Sequence, residues 1–582
     1  MATNVIDRLL EDLAGAKRDR SRHKQTDVKA ILVSLAKQTF TDAESLIRFH
    51  ETLLFLRAYP SNAKVLRQVE SLLKSFGRRV SELRLADTDL SPLDDPEVSG
   101  IAGTTVTTNF SYDIVRWLVA KCPTQISIDW DWFEEEDGFG ATMARFLPLL
   151  EEDALVEAHV PYREWLRRAI GGRRNLSGEI AWIIKHFEAF GIPAKERAEL
   201  YDSLKLHVTW KFSSNASRTR MRLPVRKVFF HDGPLIQRRD VSLAMELASP
   251  AIAIERLSRP AGEEILDRAR ETSAVRYREL HGFTYGDWRR ALKAHLGRGV
   301  DVFVMGVPPE RRLPLRAYHA VLIFKNGVPL AYFEGLSLFE RMESGFNLYY
   351  TFREGETAWI YARVLRLMRQ LLGVSVFSID PYQVGHDNEE GIESGAFWFY
   401  RKLGFRPVRP ELMKLTLSEE RKMSADPRHR TSARTLRKLA AGHMLFETSR
   451  SESYSQSRGR PIAHAYLSDW DRFEVRSVGL AVQRRMASEF DGDAQSLRAH
   501  SIKFVERVLH LNLRQWPEAE LAVLENLALV LAMIPGIEQW NSNEKQLAEQ
   551  IIRAKTRNDE ASYLRLMQKH TRLRAGIITI GS

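Results

Sequence analysis

Tyr400 carries a hydroxyl that its surroundings do not explain. It lies in ESGAFWFYRKLGFRP, residues 393–407, where Ala396, Phe399, Tyr400 and Leu403 fall at i, i+3, i+4 and i+7 and form one apolar helix stripe. Gly404 stands where a left-handed helix cap is needed, and Phe405 can fold back on the last turn. Arg401 and Lys402 complement the carbonyl end of the helix dipole. Packing accounts for the rings. It gives no reason for Tyr rather than Phe at position 400.

Other residues have types and spacings that suggest chemistry, each with a plainer explanation beside it. DWDWFEEEDGFG gathers Asp129, Asp131, Glu134, Glu135, Glu136 and Asp137, carboxylates enough for a divalent cation. Its glycine and closing glutamate do not fall where a calcium loop needs them, so a solvated acidic turn is expected. In SRTRMRL, read as a strand, Arg218, Arg220 and Arg222 share one face, with Met221 and Leu223 on the other. Such a row can hold phosphates, but a sheet edge guarded by charge gives the same pattern and is the favoured reading. His386 and Asp387 have no further ligand at a fixed spacing, so no metal centre is expected there. Cys122 is the only cysteine, which excludes an intramolecular disulfide, and in IVRWLVAKCP it reads as a small buried hydrophobe.

The elements that must position these residues belong to a long globular chain. At 582 residues, 44% apolar and 10% aromatic, it is sized for roughly three or four domains. The net charge of +11 permits an anionic partner such as nucleic acid without requiring one. The first twenty residues lack an apolar signal core, and the longest apolar stretch, 527–537, is about half a membrane span and is broken by Pro535. A soluble, cytoplasmic protein with no membrane span is expected. The pattern predicts an α+β fold with a helical region 1–95, a mixed helix and strand region 96–245, and a mixed α/β unit 246–420. A basic and Ser-rich linker 421–464 and a helical region 465–582 follow.

Within the mixed unit the order is legible. AYHAVLIFKNGVPLAYFEGLSLF is two strands joined by Asn326-Gly327, a strong hairpin signal. GFNLYYTF (345–352) is a third strand, followed by a turn and a long amphipathic helix ending at Gly373. VSVFSIDPYQ is a buried fourth strand. The polar loop VGHDNEEG, the Tyr400 helix and a last strand from Phe405 follow.

This order, with A-x-x-F-Y-R-K-L-G-F at 396–405, resembles the GNAT superfamily of acyl-CoA-dependent N-acyltransferases over roughly residues 250–418. The resemblance implies a mostly antiparallel sheet in which strands 345–352 and 374–380 are parallel, adjacent and splayed at their C-terminal ends. It implies acyl-CoA as co-substrate, an amine acceptor, and Tyr400 as proton donor to the departing thiolate. The family's pyrophosphate loop, Gln/Arg-x-x-Gly-x-Gly/Ala, corresponds here to FREGETAWIYA, so phosphate contacts would fall to Arg353, Gly355, Glu356, Thr357 and Ala358. This loop keeps one glycine and brings the negative Glu356 towards the phosphates, and Glu393 replaces a frequent Asn.

For the transfer itself an amine must lose a proton, and Glu334, sharing a strand face with Leu330 and Tyr332, is the first candidate base, directly or through water. Glu343, His386, Asp387 and Glu389 are its rivals, because the loop after the central strand borders the acceptor site in similar proteins. Two alternatives accompany this reading: aminoacyl transfer from tRNA on the same fold, and a non-catalytic scaffold whose helical flanks bind partners.

Overall fold

The computed structural model of this chain describes residues 2–18, 28–135, 142, 145–146, 160–171, 176–213, 216–448, 468–557 and 559–582. The fold is α+β. Three strands, β1 (Thr105–Thr108), β2 (Ile126–Ile128) and β3 (Val208–Lys211), form a small antiparallel sheet in the order β1-β3-β2. It packs with its own helices around an apolar core that includes Trp130, Phe187 and Trp210.

The larger sheet has nine strands: β4 (Ile254–Arg256), β5 (Leu292–Gly297), β6 (Val300–Met305), β7 (Ala317–Lys325), β8 (Val328–Leu338), β9 (Arg341–Leu348), β10 (Val376–Ile379), β11 (Arg406–Pro407) and β12 (Met444–Glu447). Its order is β11-β12-β10-β9-β8-β7-β6-β5-β4. Every neighbouring pair is antiparallel except β9 and β10, which are parallel. That pair spans only three registers, ending at Ser378 opposite Glu343. Beyond it β9 continues to Leu348 paired with β8 alone. The third strand therefore begins and ends earlier than the sequence predicts: Tyr350–Phe352 is a 3-10 turn whose Thr351 hydroxyl bonds Glu51 from the N-terminal helices. A strand running to 352 would carry the chain away from the helix start at 357.

The β7–β8 hairpin turns at Asn326 (φ 49°) and Gly327 (φ 81°), both left-handed as this two-residue loop requires. A Cβ at Gly327 would lie 2.2 Å from the Leu223 carbonyl oxygen, so the position admits no side chain. The turn is buried: the Asn326 amide donates to Ala58 O at 2.8 Å and to Phe229 O at 3.0 Å.

Five helices matter for the site. Helix α1 (Ala43–Ala58) packs against β8 and the turn at 350–352, and α2 (Arg259–Ala274) lies on one face of the sheet. The amphipathic α3 (Thr357–Leu372) lies on the opposite face and ends at a left-handed Gly373, as its sequence predicts. The short α4 (Ala396–Arg401) carries Tyr400, and α5 (Glu560–Lys569) brings the C-terminal helices onto β7 and α3. One continuous apolar core runs from Ile6 through the sheet to Ile578. Among the described residues no helix is long and apolar enough to cross a membrane.

Two passages differ from expectation. The stretch from 421 is not a plain linker: the helix Pro410–Ala425 runs into it, the helix Ala433–Leu439 follows, and β12 inserts between β10 and β11. The cations lie mostly on outer faces, while Met444, Leu445 and Phe446 are buried. The Ser-rich segment from 449 lies outside the described residues. Arg218 and Arg220 lie in a turn and Arg222 in the irregular segment after it, rather than in a strand, with Arg218 on Glu51 at 2.5 Å and Arg222 on Glu70 at 2.6 Å. Each serves to join the N-terminal helices.

Candidate functional site

Side chains two apart on a strand share a face, so the parted strands β9 and β10 have two different sides. On the α3 side stand Ser344 and Phe346. The Tyr361 hydroxyl of α3 meets Ser344 Oγ at 2.9 Å, and the Tyr361 ring lies 5.1 Å from Phe346 and 6.0 Å from Phe399. Tyr400 contacts the same ring edge-on at 5.7 Å and is 3% exposed. Among the described residues its hydroxyl has no hydrogen-bond partner, and burial pushes its pKa up, so the phenol stays protonated. Gly404, at φ 106°, caps the turn after α4, and Arg401 pairs with Glu420 at 2.8 Å. Of the predicted stripe Tyr400 and Leu403 are buried and Ala396 and Phe399 half-buried, while Phe397, which the stripe leaves out, is fully buried; aromatic rings pack together on this side of the strands.

The start of α3 gathers the five residues of the expected phosphate loop, and it uses them internally. Arg353 pairs with Glu390. Gly355 N donates to Phe352 O at 2.8 Å, and a Cβ at Gly355 would come within 2.5 Å of the Tyr59 hydroxyl. Glu356 N donates to that same hydroxyl at 3.3 Å. The Glu356 side chain is fully buried, held by Arg298 at 2.5 Å, Lys325 at 2.9 Å and the Ile236 N–H at 3.2 Å. Burial alone would raise its pKa, but the bonds and charges of Arg298 and Lys325 prevail and hold it low. The Thr357 hydroxyl bonds Arg353 O at 3.4 Å, and Ala358 is core. Glu356 thus faces two cations from the sheet rather than an open loop.

The opposite side of the parted strands is polar. Glu343 and Ser378 are register partners, Asp380 follows two residues on, and His443, just before β12, comes opposite Asp380. One ligand atom from each of Glu343, Asp380 and His443 lies within 4.8 Å of the others, with His443 Nε2 4.0 Å from Asp380 Oδ2. Arg316 approaches Glu343 at 3.3 Å, and the buried Arg341 donates to Ser378 Oγ at 3.1 Å. Burial first, then the charge of Arg341, hold His443 below the ordinary imidazole value, against the pull of Asp380 and Glu343. The ring is therefore a neutral base near pH 7. The trio has donors for a divalent cation, but Arg316 and Arg341 already offset both carboxylates, and no step below runs through a metal.

Glu334 lies on this same face, where it accepts from the Tyr318 hydroxyl, itself bonded by Gly282 N at 3.0 Å. His386 and Asp387 point outwards, 56% and 89% exposed, and Glu389 pairs with Arg437 at 2.7 Å. Among the rivals only Glu343 borders the parting strands. Asp380 and His443 carried no signal in sequence: the first reads as the end of an apolar strand, the second as part of a basic linker. Elsewhere, burial pushes the Cys122 thiol up to about 11, leaving it unactivated. Asp129 receives the Trp132 N–H at 3.4 Å, whereas Glu136 and Asp137 lie outside the described residues, as do the side chains of Glu134 and Glu135. No protein-family model, curated protein or solved structure matches this chain.

Proposed function

We propose that this chain is an acyltransferase of GNAT type, moving an acyl group from a thioester donor, acyl-CoA in the simplest case, to an amine. The observation that carries this reading is the parallel pair β9 and β10, which parts after Glu343 and Ser378 with a protonated phenol on one side and a neutral imidazole between two carboxylates on the other. Transfer forms a C–N bond and breaks a C–S bond. The amine proton passes to His443 or Glu343, and Tyr400 protonates the leaving thiolate, so one face supplies the base and the other the acid. The closed start of α3 means that a donor's phosphate would be held elsewhere than in the family's loop. Aminoacyl transfer from tRNA needs no such loop and keeps the same two faces.

The scaffold reading has its own support. The Tyr400 ring is buried against Tyr361 and Phe405, and Tyr59 and Glu356 close the helix start. One experiment separates the readings: purified protein with acetyl-CoA or a longer acyl-CoA and an amine acceptor, read by thiol release. Under the transfer reading, Tyr400→Phe and His443→Ala each lower turnover roughly 10²-fold. Tyr400→Phe keeps the ring and shifts stability by less than about 1.5 kcal/mol. Thiol release that neither substitution alters, or no thiol release from any acyl-CoA together with no amide product from aminoacyl-tRNA, leaves the scaffold.

A further inference from the structure

A cavity of about 200 Å³ lies between the sheet and the C-terminal helix α5, apart from the parted strands. Much of its wall is apolar, with Leu292 and Val304 from the sheet, Leu372 from α3 and Ala561 from α5. Buried nitrogens on its lining residues lack a hydrogen-bond partner: Arg290 Nε, Arg312 Nη2 and His319 Nδ1. His319 is 9% exposed. Arg256 and Arg565 add positive charge to the wall.

The acids nearby are already committed. Glu560 takes Lys555 Nζ at 2.5 Å and the Tyr318 N–H at 3.1 Å, and Asp559 caps α5 through Ser562 N at 3.0 Å. Asp287 pairs with Arg290. Arg312 spends one Nη on the Lys555 carbonyl and keeps the other unbonded. Unmatched buried guanidinium donors and an unpartnered imidazole nitrogen beside an apolar wall call for an oxyanion attached to a short hydrocarbon body, because a buried donor without an acceptor is costly.

We propose that this cavity binds a small organic oxyanion, a carboxylate or phosphate ester with a short apolar tail, held by Arg312, Arg290 and His319. The ligand would bridge the sheet and the C-terminal helices. The test uses the full chain at constant ionic strength, titrated with straight-chain carboxylates from acetate to hexanoate and with short alkyl phosphates, read by calorimetry and thermal shift. Saturable binding that tightens with tail length is expected, and the series that saturates identifies the head group. Arg312→Gln should weaken it at least tenfold; Arg312→Lys keeps the charge without the fork and serves if the first variant misfolds. Ala561→Leu, which fills the cavity and removes no charge, should also weaken binding at least tenfold. Tyr400→Phe should leave the affinity unchanged, which separates this site from the proposed transfer reaction. Saturation by neither series, or binding unaltered by both Arg312→Gln and Ala561→Leu, overturns the proposal.

Discussion

The start of α3 and the parting of β9 from β10 each gather charged side chains around backbone that the sequence singles out. They manage that charge in opposite ways. At the helix start Glu356 and Lys325 are both 0% exposed and meet at 2.9 Å, with Arg298 completing the match. At the parted strands Glu343 and Asp380 are 21% and 34% exposed, and the nearest contact between imidazole and carboxylate is 4.0 Å. A buried, fully bonded charge is fixed and unable to change its protonation cheaply. A partly exposed carboxylate beside a neutral imidazole keeps room for a proton and for a substrate. The second place is therefore better suited to moving a proton, although the first bears the closer sequence likeness to a cofactor loop.

The strongest way to break this comparison is Lys325→Met. It strands the Glu356 carboxylate in the core beside Arg298 alone, and stability in urea should fall by about 3–5 kcal/mol. The double variant Lys325→Met with Glu356→Leu should recover most of that loss, because the uncompensated charge is gone. Glu343→Gln, at the parted strands, should cost less than about 1 kcal/mol. Equal losses from Lys325→Met and Glu343→Gln would erase the distinction between structural and available charge.

Acid should expose the structural joint next. Burial would raise the Glu51 pKa, but Arg218 and the bonds from His50 and Thr351 outweigh it and hold the carboxyl at about 2. Its folded value lies below its ordinary value of 4.5, so this contribution is complete above that pH and is lost as pH falls towards 2. His50, bonded to Glu51 at 2.9 Å and kept neutral by burial, adds a loss that begins as pH drops below 6.5. Melting temperature should therefore decline steadily from pH 6.5 downward. Glu51→Gln should start lower and show a shallower decline below pH 4.5. Parallel acid limbs for the two proteins would remove Glu51 from the account.

Much of the sheet was legible because its signals are local. Asn326-Gly327 fixes the hairpin, the apolar run before Asp380 marks a buried strand, and Gly373 ends α3 where the periodicity stops. What escaped depends on partners distant in sequence. Tyr59 reaches Glu356 across 297 residues, and no local pattern at FREGETA announces that a phenol will close it. β12 carries only a three-residue apolar run, Met444–Phe446, after a cationic stretch, too short for periodicity to register, and His443 precedes it without a signal of its own. Glu343 stands in the sequence as one rival among four, whereas Asp380 reads as the end of a strand.

The smallest effect belongs to those rivals and sharpens the comparison from the other side. His386 and Asp387 lie in the loop after β10, and they are 56% and 89% exposed and 3.7 Å apart. A pair so solvated gains little from its charges and holds no fixed geometry. His386→Ala should leave stability within about 0.5 kcal/mol and thiol release within about twofold. A loss comparable to that of His443→Ala would mean that this loop folds over the parted strands during turnover. The base would then have to be sought on the loop rather than on the sheet.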